Sequence, residues 1–348
     1  MSGVRVLLVA QQLRRPVPGG IGTYIRGLVQ GLGDDVDLTL LAGGEGLGPP
    51  VVDSRLPGKL LTRAWDAGLV KAPAGYDVVH AAALATPAAS PLVVAVHDVA
   101  WRLLPDAFPR RGRTWHEAAL RRAVERGATF VVPTTTTADA LMAGGLDGNR
   151  VDVLDPMYGC DHLPPADTAA ATELLHRLGV DGPYLLTVAT LEPRKNLPRL
   201  LEAFARARPL LPEPWPLVVV GPPGWGQQVK PPPGVVLTGA VPPATLAAVY
   251  AGARCMAYVP LLEGWGLPAV EAMTACTPVV ASPLPSTGGA VVEVDPYDTA
   301  SIAEGLVIAA GDERRRAELV TAGLLRASEL TWEAVARAHL AVWEGATA

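Results

Sequence analysis

The chain has 348 residues, a length that suggests two domains, each large enough to bury its own core. Its 29 Lys and Arg against 34 Asp and Glu give a net charge of -5, which argues against a polyanion such as nucleic acid as the main partner. Cys160, Cys255 and Cys276 share no metal or redox spacing, so a reducing cytoplasm fits best.

Val4 to Ala10 is an apolar run of strand length, too short for a signal peptide, and Ile21 to Leu32 carries helical apolar spacing that stops at Gly33. Strand-like runs follow at Val36 to Ala42, Val78 to His80, Leu92 to His97 and Phe130 to Pro133, with an Arg-rich helix expected from Arg110 to Arg126. The longest uncharged stretch, Ala81 to Val96, contains Pro87 and Pro91 and is too short to span a bilayer of about 30 Å. After the loop Asp155 to Pro165 the β-α pattern restarts, with strands at Tyr184 to Ala189, Leu217 to Gly221, Val235 to Thr238, Cys255 to Val259 and Pro278 to Ala281, and helices at Leu197 to Arg206 and Pro243 to Gly252. The expected class is α/β: two Rossmann-like, doubly wound domains facing a central cleft, over residues 1–165 and 166–330, with ligands near the carboxyl ends of the strands.

Three segments carry chemistry. In Tyr258-Val-Pro-Leu-Leu-Glu263-Gly264-Trp265-Gly266-Leu267-Pro268-Ala-Val-Glu271, a strand runs into a glycine-bearing loop and Pro268 marks a first helical turn. Glu263 and Glu271 flank that helix start and could grip hydroxyls on two parts of one ligand; the competing reading is a turn with solvated or capping glutamates. In Glu192-Pro-Arg194-Lys195-Asn196 a strand end delivers two cations ahead of a helix, and the chain holds only four lysines. Together Arg194 and Lys195 could neutralise a diphosphate, or form a basic turn paired with Glu192.

The third segment, Arg14-Arg-Pro-Val-Pro-Gly19-Gly20-Ile-Gly22-Thr23-Tyr24, places glycines where a phosphate-cradling turn needs them, but lacks the third glycine of a dinucleotide fingerprint. His80 and His97 end strands, His97 beside Asp98, and either could face a ligand or serve the core. Asp35-Val-Asp37 is a weak metal pattern at a strand start, away from the expected site. The arginines at 110, 111, 113, 121, 122 and 126 read as a solvated helix face, with peripheral contact to an anionic membrane or a phosphorylated acceptor as the alternative.

Order and spacing of these segments resemble the family-4 retaining glycosyltransferases of the GT-B fold over nearly the whole chain. Glu263 and Glu271 match that family's Glu-x7-Glu signature, Glu192 to Asn196 its mannosyltransferase-like Glu-Pro-Arg-Lys-Asn subgroup, and Gly19 to Thr23 its glycine-rich loop. Its His-Asp strand end is similar to His97 and Asp98, and its closing Trp-Glu helix to Trp332 and Glu333, which implies that residues 331–348 cross back to the first domain.

The resemblance implies a metal-independent, retaining transfer of a hexose, mannose favoured, from a nucleotide-diphosphate sugar such as GDP-mannose to a glycan, lipid-linked or small-molecule hydroxyl acceptor. It assigns catalysis to His97, Arg194, Lys195 and Glu263, with no cofactor. Donor binding falls to Gly20, Gly22, Gly264, Trp265, Gly266, Leu267 and Glu271, and the acceptor side to Thr23, Tyr24 and Asp98. A cytoplasmic protein is implied, with contact at the inner membrane face left open. Three features depart from the family pattern: Cys276 replaces a usual Gly, Thr190 a frequent cation, and the 282–290 stretch is shorter and lacks an acid; Trp265 in place of a common Phe keeps an apolar ring. The shortened stretch motivates the alternative of a non-enzymatic relative that binds a nucleotide sugar or a partner.

Overall fold

The computed structural model describes residues 3–34, 36–42, 48–54, 56–146, 148–224 and 231–347. Tertiary contacts divide the chain into two compact units, Met1–Gly159 with Thr331–Ala348, and Cys160–Leu330. The division falls a few residues before position 165 because Cys160 is already tied into the second unit: its N–H donates to Leu330 O at 2.9 Å and its thiol to Ala327 O at 3.3 Å.

In the first unit, β1 (Arg5–Val9), β2 (Asp37–Leu41), β3 (Val51–Val52), β4 (Val78–Ala81), β5 (Leu92–Ala95), β6 (Thr129–Val132) and β7 (Val151–Val153) form a parallel sheet in the order β3-β2-β1-β4-β5-β6-β7. The apolar runs of β4 and β5 are buried on both faces, as a sheet covered by helices requires. Those helices are α1 (Gly19–Leu32), α2 (Gly58–Asp66), α3 (Ala100–Leu103), α4 (Arg110–Glu125) and α5 (Thr135–Met142). The Arg-rich α4 buries only Ala119, Leu120 and Ala123, while Arg122 pairs with Asp66 and Arg126 donates to the carbonyls of Thr86, Pro87 and Trp65. Strand order reverses between β1 and β4, which makes their carboxyl ends a switch point where ligands of such sheets lie.

The second unit repeats the scheme with β8 (Leu185–Val188), β9 (Leu217–Val220), β10 (Val235–Gly239), β11 (Cys255–Tyr258), β12 (Val279–Ala281) and β13 (Val292–Glu293), ordered β10-β9-β8-β11-β12-β13 and parallel throughout. Its helices are α6 (Thr168–Arg177), α7 (Leu197–Ala207), α8 (Pro243–Gly252), α9 (Leu267–Thr274), α10 (Thr299–Gly311) and α11 (Glu313–Glu329). The apolar stripe of α7, from Leu197, Leu200 and Leu201 to Phe204, packs against α10. Here the switch point lies between β8 and β11.

The last helix, α12 (Trp332–Thr347), belongs to the first unit and packs along α1. Two glycines on α1 permit this. A Cβ on Gly27 would stand 2.0 Å from Trp332 Cε2, and one on Gly31 would stand 2.1 Å from the Trp332 carbonyl oxygen. Strands β3, β7 and β13 have no counterpart in the sequence reading, because edge strands of two or three residues carry too little alternation to register.

Candidate functional site

In the second unit, the two signature loops leave the carboxyl ends of β8 and β11 and meet. After β8 the chain makes a 3-10 turn, Pro193–Lys195, and Asn196 takes a left-handed conformation at φ 61°. The Asn196 side-chain amide donates to Val259 O at 3.0 Å and Pro296 O at 2.7 Å, and Leu261 N donates to Arg194 O at 2.9 Å. These bonds fix the turn against the β11 loop.

Held this way, Arg194 and Lys195 share one carboxylate. Lys195 Nζ lies 2.7 Å from Glu263 Oε1 and donates to Tyr258 Oη at 2.8 Å, while Arg194 pairs with Glu263 through Nη1 and with Glu192 through Nη2 at 2.8 Å. The side chains of Arg194, Lys195 and Glu263 are 12–14% exposed, so the charges interact in a partly desolvated pocket, and Glu192 is buried. Arg194 does pair with Glu192, but within this cluster rather than as an exposed turn. Such an arrangement can present two fixed cations to an incoming oxyanion, with the Glu263 carboxylate beside them able to accept from a hydroxyl.

The helix that follows starts at a left-handed Gly266, φ 96°, where a Cβ would press to 2.8 Å from Leu284 Cδ1. Pro268 occupies its first turn, where a missing N–H costs nothing. Gly264, Trp265 and Leu267 are buried here, and Trp265 O accepts from Ser286 Oγ at 2.6 Å, which fixes the glycine-bearing loop onto the short 282–290 segment. Glu271, on the same helix, is buried with both oxygens engaged: His162 Nε2 donates to Oε1 at 2.9 Å and Tyr250 Oη to Oε2 at 2.8 Å. Burial, and then the adjacent Glu271 charge, hold the Tyr250 phenol well above its ordinary pKa, so it remains a donor.

His162, Tyr250 and Tyr258 escaped the sequence reading. His162 sits in a loop with no local periodicity, and the two tyrosines belong to core elements whose apolar pattern masks a hydroxyl.

In the first unit the sequence candidates separate into a buried set and a pocket set. Tyr24 was assigned to the acceptor side, but it is fully buried and its hydroxyl is taken by His80 Nε2 at 2.8 Å and His339 Nε2 at 2.6 Å. The outer partners fix the tautomers. The Trp343 indole N–H donates to His80 Nδ1 at 3.1 Å, so His80 carries its proton on Nε2 and donates to Tyr24. Val335 O accepts from His339 Nδ1 at 2.7 Å, so His339 Nε2 accepts the Tyr24 proton. The result is a continuous relay joining α12, α1 and β4. Tyr24 and His80 therefore serve the core.

His97 lies just beyond β5 in a recess of about 190 Å³ lined also by Gln11, Gln12, Arg15, Asp98 and Trp101. Its Nε2–H donates to Ala82 O at 2.7 Å and its Nδ1 accepts from Tyr158 Oη at 2.5 Å. Burial lowers its pKa, so the imidazole is neutral. Asp98 Oδ1 accepts from Ala100 N at 2.9 Å at the start of α3.

The glycines assigned to a loop lie inside α1, with Gly19 at φ 64°. A Cβ on Gly20 would meet nothing within 4 Å, whereas one on Gly22 would lie 2.3 Å from Pro18 Cβ, so Gly22 answers first to packing and Gly20 leaves open backbone. Thr23 is half-buried on the same helix. Asp37 opens β2, exposed, and its Asp-x-Asp companion Asp35 lies outside the described residues.

Comparison with known proteins gives two family models: Glycosyltransferase Family 4 over residues 18–157, and Glycosyl transferases group 1 over residues 176–326. The chain is 27% identical over 260 residues, 69% of its length and 67% of the relative's, to the O-antigen chain mannosyltransferase B of Escherichia coli. It is 29% identical over 338 residues, 84% of its length and 78% of the relative's, to a D-inositol 3-phosphate glycosyltransferase of Xylanimonas cellulosilytica.

Among solved structures, Anabaena HepE in complex with UDP and glucose superposes with a TM-score of 0.74 at 18% identity, over 98% of this chain and 100% of that one. Sucrose-phosphate synthase from Thermosynechococcus elongatus gives 0.73 at 18% identity, over 99% and 98%. Two parallel Rossmann-like sheets, the Glu-x7-Glu helix start and these matches together make the chain a family-4 glycosyltransferase of the GT-B fold.

Proposed function

We propose that this glycosyltransferase moves a hexose, mannose favoured, from a nucleoside-diphosphate sugar to a hydroxyl acceptor, with retention of configuration and without a metal. The cluster of Arg194, Lys195 and Glu263 at the ends of β8 and β11 carries this reading. As the bond to the diphosphate breaks, negative charge grows on the leaving group. Two cations held by Glu192, Tyr258 and Asn196 stabilise that charge most at the transition state and need no reorganisation to do so.

Glu263 takes the donor sugar and Glu271 the ribose. Each Glu271 oxygen already accepts one hydrogen bond and keeps lone-pair capacity for a second, so Tyr250 and His162 orient the carboxylate without saturating it. The departing phosphate deprotonates the incoming hydroxyl, so neither glutamate acts as nucleophile. Mannose from GDP-mannose is favoured by the Glu-Pro-Arg-Lys-Asn segment and by the likeness to an O-antigen mannosyltransferase. No helix among the described residues is long and apolar enough to cross a membrane. We place the protein in the cytoplasm on its cysteine usage, three thiols with no metal or redox spacing.

The test is incubation with a panel of nucleotide sugars in EDTA, following nucleotide release and product mass. Turnover of one donor is the expected result, with Lys195→Ala slower by roughly 10²-fold or more. Nucleotide binding without turnover would favour the non-enzymatic alternative, and a Lys195→Ala rate within a few-fold of wild type would remove the site assignment.

A further inference from the structure

The recess at the ends of β1, β4 and β5 contains a cation that the proposed transfer does not use. Arg14 and Arg15 are neighbours in sequence with opposite fates. Arg14 is neutralised by Asp53 and donates to Ser54 O at 3.4 Å. Arg15 lines the recess, its residue exposed at the rim, and among the described residues no side chain or carbonyl accepts from its guanidinium. Surrounding atoms desolvate it enough to lower its pKa, and no carboxylate offsets that effect. The contrast with other desolvated arginines is plain: Arg126 has Asp66 and Glu125 to compensate it, and Arg316 has Glu313.

Asp98 is the carboxylate in the lining of this recess, and it is engaged by Ala100 N rather than by Arg15. Elsewhere in the lining Gln11, Gln12 and the neutral His97 offer hydrogen bonds, and Trp101, stacked on His116 with ring centroids 4.8 Å apart, offers an apolar face. Arg15 keeps part of its surface in water and no group among the described residues supplies its counter-charge, so an anion seated in the recess would gain a charge-assisted hydrogen bond there without displacing an existing ion pair.

We infer that Arg15 receives a compact oxyanion, a phosphate monoester or a carboxylate, borne by the hydroxyl acceptor, so that the acceptor is an anionic hydroxyl compound and not a neutral sugar. The acceptor half of this statement rests on the transfer proposed above. The anion site itself is read independently of it.

The experiment titrates inorganic phosphate, and separately acetate, calorimetrically into the full chain pre-saturated with nucleoside diphosphate, which occupies Arg194 and Lys195. Wild type is expected to bind one oxyanion per chain, Arg15→Gln to weaken that binding about tenfold or more, and Arg15→Lys to retain an intermediate affinity. Tighter binding of phosphate assigns a phosphate monoester, and tighter binding of acetate a carboxylate. The inference is overturned if the saturated wild type binds neither anion, or if Arg15→Gln binds as well as wild type. Failure of the nucleotide to bind counts against the transferase reading, whereas an isotherm indifferent to Arg15 counts against the anion site alone.

Discussion

At the scale of single residues, what a side chain can do is set by how its polar atoms are already occupied. Lys195 stands out in the sequence because lysine is scarce, and the structure adds that it and Arg194 converge on one carboxylate, Glu263. Tyr24 illustrates the reverse. It lies beside the glycine-rich segment, yet helix phase turns it inward to two imidazoles that come from β4 and α12, 56 and 315 positions away.

Cys276 is legible both ways. It replaces a usual glycine, and it does adopt the left-handed conformation, φ 58°, that follows the end of α9, where a Cβ is strained. Cys276→Gly is therefore expected to stabilise the chain by about 0.5–1 kcal/mol, the relief of strain exceeding the added flexibility of the unfolded chain. Thermal denaturation checks this; an unchanged or lower midpoint would show that the site tolerates the side chain without cost.

Among the elements, the pairing of α1 with α12 is the contact most sensitive to a single atom. At Gly31 the obstacle to a Cβ is the Trp332 backbone carbonyl, which cannot rotate away as a side chain can. Gly31→Ala should cost about 1–3 kcal/mol or more and raise the susceptibility of the C-terminal helix to limited proteolysis. Gly112→Ala on α4, where a Cβ meets nothing within 4 Å, is the control and should be neutral or slightly stabilising. Equal melting of the two variants would mean that α12 does not depend on the close approach. The helical spacing of α1 was readable from apolar periodicity, but the reason for glycine at 27 and 31 was not, since the helix they accommodate lies at the other end of the chain.

For the whole molecule, the buried relay makes stability depend on pH. Burial lowers His80 well below the ordinary 6.5 and His339 to about 4. Protonating His80 Nδ1 would set a donor against the Trp343 indole N–H, and protonating His339 Nε2 would set one against the Tyr24 hydroxyl proton. Both imidazoles stay neutral when folded while the unfolded chain takes up protons below 6.5. The sign follows: full stability is present above 6.5 and is lost as pH falls toward 4, by about 3 kcal/mol for His339, with further loss from His80. Denaturant midpoints across that window measure the effect, and a flat profile between pH 6.5 and 4 would contradict a neutral relay.

The sequence by itself determined the alternation of strands and helices, the two α/β halves and the residue types of the donor signature, because these depend on local periodicity and covalent spacing. Only the tertiary structure decided that Glu263 meets Lys195 from 68 positions away, that Glu271 is oriented by Tyr250 and His162, and that Arg15 lacks the partner Arg14 has. The physical reason is strand order: parallel crossovers set β8 beside β11 and β1 beside β4, bringing together loops distant in the chain.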